Sequence, residues 1–168
     1  MMNAISRALF DFFDRRIVAQ YQQYKKEQLF NELKGVGQNS TVVYPWDIRG
    51  AEHITLRDNV FIGPRVLMGA APGGEIEFED YAMLGPNVHI MAGDHAFKNS
   101  DGPVVLQGGG TVGKIVFGAG CWVGANCCIL KGTTIGAGSV VGAGSIVTKS
   151  IPSGEVWAGN PAVFIRVR

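Results

Sequence analysis

Charge is scarce in this sequence and balanced in sign. Asp, Glu, Lys and Arg make up 17% of its 168 residues, and the formal net charge is +1. No long basic block occurs, which argues against a nucleic-acid partner. No apolar run reaches the roughly 18 residues that a membrane span requires. The N-terminal stretch MMNAISRALFDFF lacks a secretory layout, because Arg7 and Asp11 interrupt it and no small-residue cleavage site follows. Cysteine is nearly absent. Cys121, Cys127 and Cys128 are odd in number and crowded together, which fits neither a disulfide framework nor a zinc ribbon. A reduced, cytoplasmic protein is expected. The sequon Asn39-Ser40-Thr41 is then without consequence.

Glycine, in contrast, is abundant: 24 residues, about twice the usual share. A hydrophobic content of 46% excludes a disordered chain, so the glycines belong to a folded backbone. Cut every six residues from Phe117, the sequence reads FGAGCW, VGANCC, ILKGTT, IGAGSV, VGAGSI, VTKSIP. The first position is always apolar: Phe117, Val123, Ile129, Ile135, Val141 and Val147. The second is usually Gly. The fifth is small or apolar: Cys121, Cys127, Thr133, Ser139, Ser145 and Ile151. LRDNVF and IGPRVL at Leu56 and Ile62, and FEDYAM and LGPNVH at Phe78 and Leu84, keep the same pattern. A period of six is not helical. It predicts a parallel β-helix whose coils stack and whose corners recur every six residues. Cys121 and Cys127 then fill the core, and Cys128 points outward as a surface thiol or part of a subunit interface.

These repeats, and above all VGAGSIVTKSIPSGEVWAGNPAVFIR near the C-terminus, resemble the hexapeptide-repeat acyltransferases. The similarity covers about residues 50–168 and is greatest to the maltose, galactoside and polysaccharide O-acetyltransferases. It implies a mainly β fold, a left-handed parallel β-helix with an N-terminal α-helix and one long loop excursion. It also implies acetyl-CoA as cosubstrate without a metal, and a homotrimer with active sites between subunits.

Residues 1–37 are expected to form a helical segment and 38–168 the β-helix domain. Ile5, Leu9, Phe13, Ile17, Tyr21 and Tyr24 form an apolar stripe at three- and four-residue steps. It should pack on the chain's own β-helix or on a neighbouring subunit. Arg7, Arg15, Arg16, Lys25 and Lys26 beside it leave a peripheral membrane contact as a second reading, against which Asp11 and Asp14 count. AAPGGE at 70–75 should be a turn. From about 91 to 114 the repeat is lost, and so long an excursion from a solenoid points to function.

The excursion carries His95. Acetyl transfer to a hydroxyl needs a base of near-neutral pKa to take the proton as oxygen attacks the thioester, and histidine suits that task. Direct attack on a held donor needs no acyl-enzyme. In LGPNVHIMAGDH the resemblance matches His95 to the family's catalytic histidine and Asn87 to its acceptor-binding asparagine. Asp94 is a candidate to orient the imidazole; Asn87 is also a candidate for a left-handed corner. His53 and His89 are read as surface or structural. By the same resemblance Ala125 and Ala143 admit the pantetheine arm, Thr148 and Lys149 meet the nucleotide end, Arg166 serves that end, and Trp122 lines the groove. Val163 departs from the family, in which several members carry Arg. Gly159-Asn160-Pro161-Ala162 matches a closing turn.

A carbohydrate hydroxyl is the leading acceptor, as in polysaccharide biosynthesis. A xenobiotic such as an antibiotic, or an amine, is the alternative on the same fold, and a non-catalytic scaffold is a third reading. Carbonic anhydrase chemistry needs three suitably arranged His ligands, and the spacing of His53, His89 and His95 does not match that family.

Overall fold

The computed structural model describes residues 4–98 and 102–168; the side chains of residues 4, 5, 7, 8 and 9 lie outside that description. One long helix, Ala4–Glu32, leads into a prism of three parallel sheets. The first face stacks Gly35–Val36, Ile54–Leu56, Ile76–Phe78, Ile115–Phe117 and Thr134–Ile135. The second stacks Thr41–Val42, Phe61–Ile62, Met83–Leu84, Trp122–Val123 and Val140–Val141, then Glu155–Gly159 and Ala162–Val167. The third stacks Trp46–Arg49, Val66–Gly69, His89–Met91, Cys128–Leu130 and Ile146–Val147. Each turn of chain visits the three faces in order. Pairing begins at Gly35–Val36, ahead of the first repeat visible in the sequence at Leu56. At the far end Glu155–Gly159 pairs parallel with Val140–Val141 and antiparallel with Ala162–Val167, so the last coil closes in a hairpin.

The hexapeptide pattern is the inside of this prism. Every first-position residue from Phe117 to Val147 is buried, and so is every fifth-position residue from Cys121 to Ile151. Phe78 and Phe117 fill the interior where consecutive coils meet, their rings stacked at 4.4 Å. Thr133, Ser139 and Ser145 satisfy their buried hydroxyls on the carbonyls of Leu130, Pro152 and Gly142. They occupy small core positions without a desolvation cost.

The glycines of the hexapeptide blocks divide into two kinds. Fourth positions turn the corner in the left-handed region: Gly144 has φ 73°, and Asn59, Asn87 and Asn126 take 58–59° at equivalent places. This is the corner requirement expected from the sequence. Second-position glycines answer another constraint. A Cβ on Gly124 would lie 2.7 Å from the Ala143 backbone nitrogen in the next coil, so glycine is set there by stacking.

The N-terminal helix meets only part of its expectation. Leu29 is buried and Phe30 and Leu33 pack against the core, while Tyr21 touches Tyr44 edge-on at 5.7 Å. Phe13, Ile17, Tyr21 and Tyr24 are 50–63% exposed, so among the described side chains the chain's own β-helix covers only the end of this helix. Ile5, Leu9 and Arg7 of the expected stripe lie outside the described side chains. Among the described residues no helix is long and apolar enough to cross a membrane.

Phe117→Ala should cost about 3–5 kcal/mol in chemical denaturation, because the ring leaves a cavity between stacked coils. A loss under about 1 kcal/mol would contradict the interior assigned to the repeat.

Candidate functional site

The excursion after Met91 is a folded hairpin rather than a loose loop. Gly93–His95 pairs antiparallel with Gly109–Val112, and a short 3-10 turn, Val104–Leu106, lies between. The insertion emerges at the corner between the third and first faces. The pairing shifts register between Gly93 and His95. Such a bulge re-aims the side chains beside it. His95 is exposed on this hairpin, against a pocket of about 870 Å³. Phe97, Pro103 and Leu106 give that pocket an apolar side, and Asp94, Thr111 and Lys131 a polar one.

Asp94 does not hold His95. Its carboxylate pairs with Lys131, and its other oxygen accepts the Thr111 backbone N–H at 2.8 Å. The Lys131 bond holds the Asp94 carboxyl below the usual carboxylate range; the Thr111 N–H adds to this and partial burial opposes it. The expected imidazole–carboxylate bond gives way to this network because adjacent residues on a strand point to opposite faces.

Asn87 is likewise committed. It sits in a left-handed corner, accepts from Arg65 Nε at 2.7 Å and donates to Asn126 at 3.0 Å. This is a ladder of corner side chains along the prism. The corner is the one between the second and third faces. Ala125 and Ala143 belong to that corner too, two residues after Val123 and Val141, beside the position that Asn87 takes three residues after Leu84. His95, Thr148 and Lys149 belong to the next corner, between the third and first faces. The strand of the third face separates the two groups within one chain.

Trp122 points outward from the second face, 48% exposed. It stands in register with Met83 above it and Val140 below, and Phe61 continues the ladder. Arg166 is exposed on the closing hairpin, opposite Val156. Lys149 Nζ lies 5.2 Å from the Trp157 ring centre. Two of the cysteines belong to the core: burial pushes the Cys121 thiol up to about 12, and the Cys127 thiol donates to the Gly142 carbonyl at 3.2 Å.

Lys131 and Thr111 are the site residues that the sequence reading missed. A signal for Lys131 existed. The third position of the repeat reads Ala119, Ala125, Lys131, Ala137, Ala143, Lys149. Lys131 precedes Lys149 by one full coil, at the same corner. Thr111 offered no signal, because only hairpin pairing brings it to Asp94.

The depressed Asp94 pKa fixes a sign. Its contribution to stability is complete above the unfolded value of about 3.9 and is lost as pH falls through the lower folded value. The melting-temperature gap between wild type and Asp94→Asn should therefore hold from about pH 7 to about 4 and close in more acidic solution. A gap that widens on acidification would contradict the pairing.

Comparison with known proteins agrees with this architecture. Residues 114–149 match a family model described as the hexapeptide repeat of succinyl-transferase. A maltose O-acetyltransferase from Clostridium difficile superposes with TM-score 0.75 at 29% identity, covering 86% of this chain and 75% of that one. A hexapeptide-repeat acetyltransferase of Vibrio cholerae, complexed with acetyl coenzyme A, gives 0.74 at 26% identity over 86% and 76%. A galactoside acetyltransferase in complex with coenzyme A gives 0.76 at 27% identity over 86% and 70%. From its repeat, its prism and these neighbours, the chain has the left-handed β-helix fold of hexapeptide-repeat proteins and is similar to the acetyltransferases built on it.

Proposed function

We propose that this acyltransferase moves an acetyl group from acetyl-CoA to a carbohydrate hydroxyl, with His95 as general base. The observation that carries this reading is an exposed imidazole on a folded hairpin, set against a roomy pocket at one corner of the prism. The complexes of the Vibrio and galactoside enzymes with acetyl coenzyme A and coenzyme A support the donor. The maltose and galactoside enzymes support a sugar acceptor.

In this reading His95 takes the proton of the acceptor hydroxyl as its oxygen attacks the thioester carbonyl, and returns it to the departing thiolate. The apolar side of the pocket, with Phe97 and Leu106, holds the acceptor and limits water. Ala125 and Ala143 present little side chain at their corner, which suits close approach of a thin pantetheine arm. Thr148, Lys149 and Arg166 supply a hydroxyl and two cations suited to phosphates. Trp122 offers an aromatic wall.

These groups lie on two corners of one chain, so the reading includes a homotrimer that brings one subunit's Ala125 and Ala143 beside another's His95. The outward ladder Phe61, Met83, Trp122 supports this. Each residue is 39–48% exposed in a single chain, and a covered face suits them better than water. Sedimentation should give a mass three times 18.0 kDa; a monomer at micromolar concentration would remove this part of the reading.

Thiol release from acetyl-CoA should depend on a sugar in the assay, and His95→Ala should lower it by about 10²–10⁴-fold. Undiminished release in the variant would reject His95 as the base. Absence of acetyl-CoA binding in calorimetry would reject the donor.

A further inference from the structure

We propose that Lys131 is a positioning residue that locks the His95 hairpin to the body of the prism. The inference rests on the reading of His95 as general base. Lys131 follows Cys128–Leu130, the strand stacked directly on His89–Met91, from which the hairpin departs. Its ammonium pairs with the Asp94 carboxylate and donates to the Thr111 hydroxyl and, at 3.2 Å, to the Thr111 carbonyl. Asp94 accepts the Thr111 N–H with its second oxygen. One cation therefore ties both strands of the hairpin to the next coil, and its anchor on the first strand is the residue preceding His95.

The backbone opposite has closed around this contact. A Cβ on Gly110 would run into the Asp94 carboxylate and the His95 carbonyl. The Lys131 and Asp94 side chains are only 26% and 35% exposed, so their pairing is less screened than that of an open surface pair. Positioning rather than ligand binding follows from the donor count. An ammonium has three N–H bonds, and three oxygens of Asp94 and Thr111 already engage them. Lys131 holds the strand, and the strand sets where the imidazole meets the pocket.

The test uses the full chain with Lys131→Met, Lys131→Arg and Asp94→Asn, read by backbone ¹⁵N relaxation and by steady-state kinetics. In Lys131→Met the order parameter of the His95 amide should fall from a rigid value near about 0.85 towards about 0.6, while that of Ile129 in the coil stays unchanged. The turnover number should drop by about 10²-fold, the cost of a base displaced by about an ångström. The KM for acetyl-CoA should move by less than about twofold. Lys131→Arg should recover most of both losses. An unchanged order parameter would overturn the proposal. So would a raised KM with turnover intact, which would make Lys131 a substrate-binding group. If Lys131→Met does not fold, Asp94→Asn removes the charge pair but keeps an oxygen for Thr111, and the same measures decide. If the wild-type protein transfers no acetyl group, the reading of His95 fails, yet the His95 order parameter still decides whether Lys131 holds the hairpin.

Discussion

Backbone stacked on backbone governs this molecule. Adjacent coils lie about 4.8 Å apart, and their peptide groups are satisfied largely by the next coil. Gly124 N–H, for instance, donates to the Val141 carbonyl at 2.8 Å, and Gly85 N–H to Val123 at 2.8 Å. The approach leaves no room for a Cβ at second-position glycines such as Gly85, Gly124 and Gly136, sets left-handed corners at fourth positions such as Asn126 and Gly144, and narrows the interior to one large residue beside one small one. Repetition of the sequence is the consequence. Each coil must satisfy the same neighbour in the same way.

A stacked prism can take a large insertion at a corner without losing its sheets. Ile76–Phe78 pairs directly with Ile115–Phe117, and His89–Met91 with Cys128–Leu130, although the hairpin lies between them in sequence. The entropic cost of a longer corner grows slowly with its length. The hairpin is thus free to carry chemistry that the coils, whose inward positions are fixed by packing, cannot. What it lacks is a face of its own in the prism, and Lys131 supplies its attachment from the coil that follows.

The geometry also distributes function. A side chain that points outward near a corner is presented to solvent or to another subunit, never to the opposite corner of its own chain. His95 and Lys149 share one corner, Asn87, Ala125 and Ala143 another, and the third face keeps them apart. A site that needs both groups needs a second chain. The same reasoning separates the N-terminal helix from the prism: about 43 Å long by its residue count, it finds support, among its described side chains, only at its last turns.

The sequence by itself determined the coils. A period of six with an apolar first position, small fifth position and recurrent glycine admits a stacked β-helix and little else, because each inward and corner position is dictated locally. Phe117, Cys121, Cys127 and Ile129 were legible as core for that reason. His95 was legible as the histidine of a break in the period, but its exposure on a hairpin was not. Tertiary structure alone decided what that break became: a hairpin with its own register shift, closed by Thr111 and held by Lys131. It also turned Asp94 away from His95 and tied Asn87 into a ladder with Arg65 and Asn126. These contacts join residues 17 to 39 positions apart. Their partners are chosen by the stacking of neighbouring coils and the pairing of the hairpin, and no local pattern of residues encodes either choice.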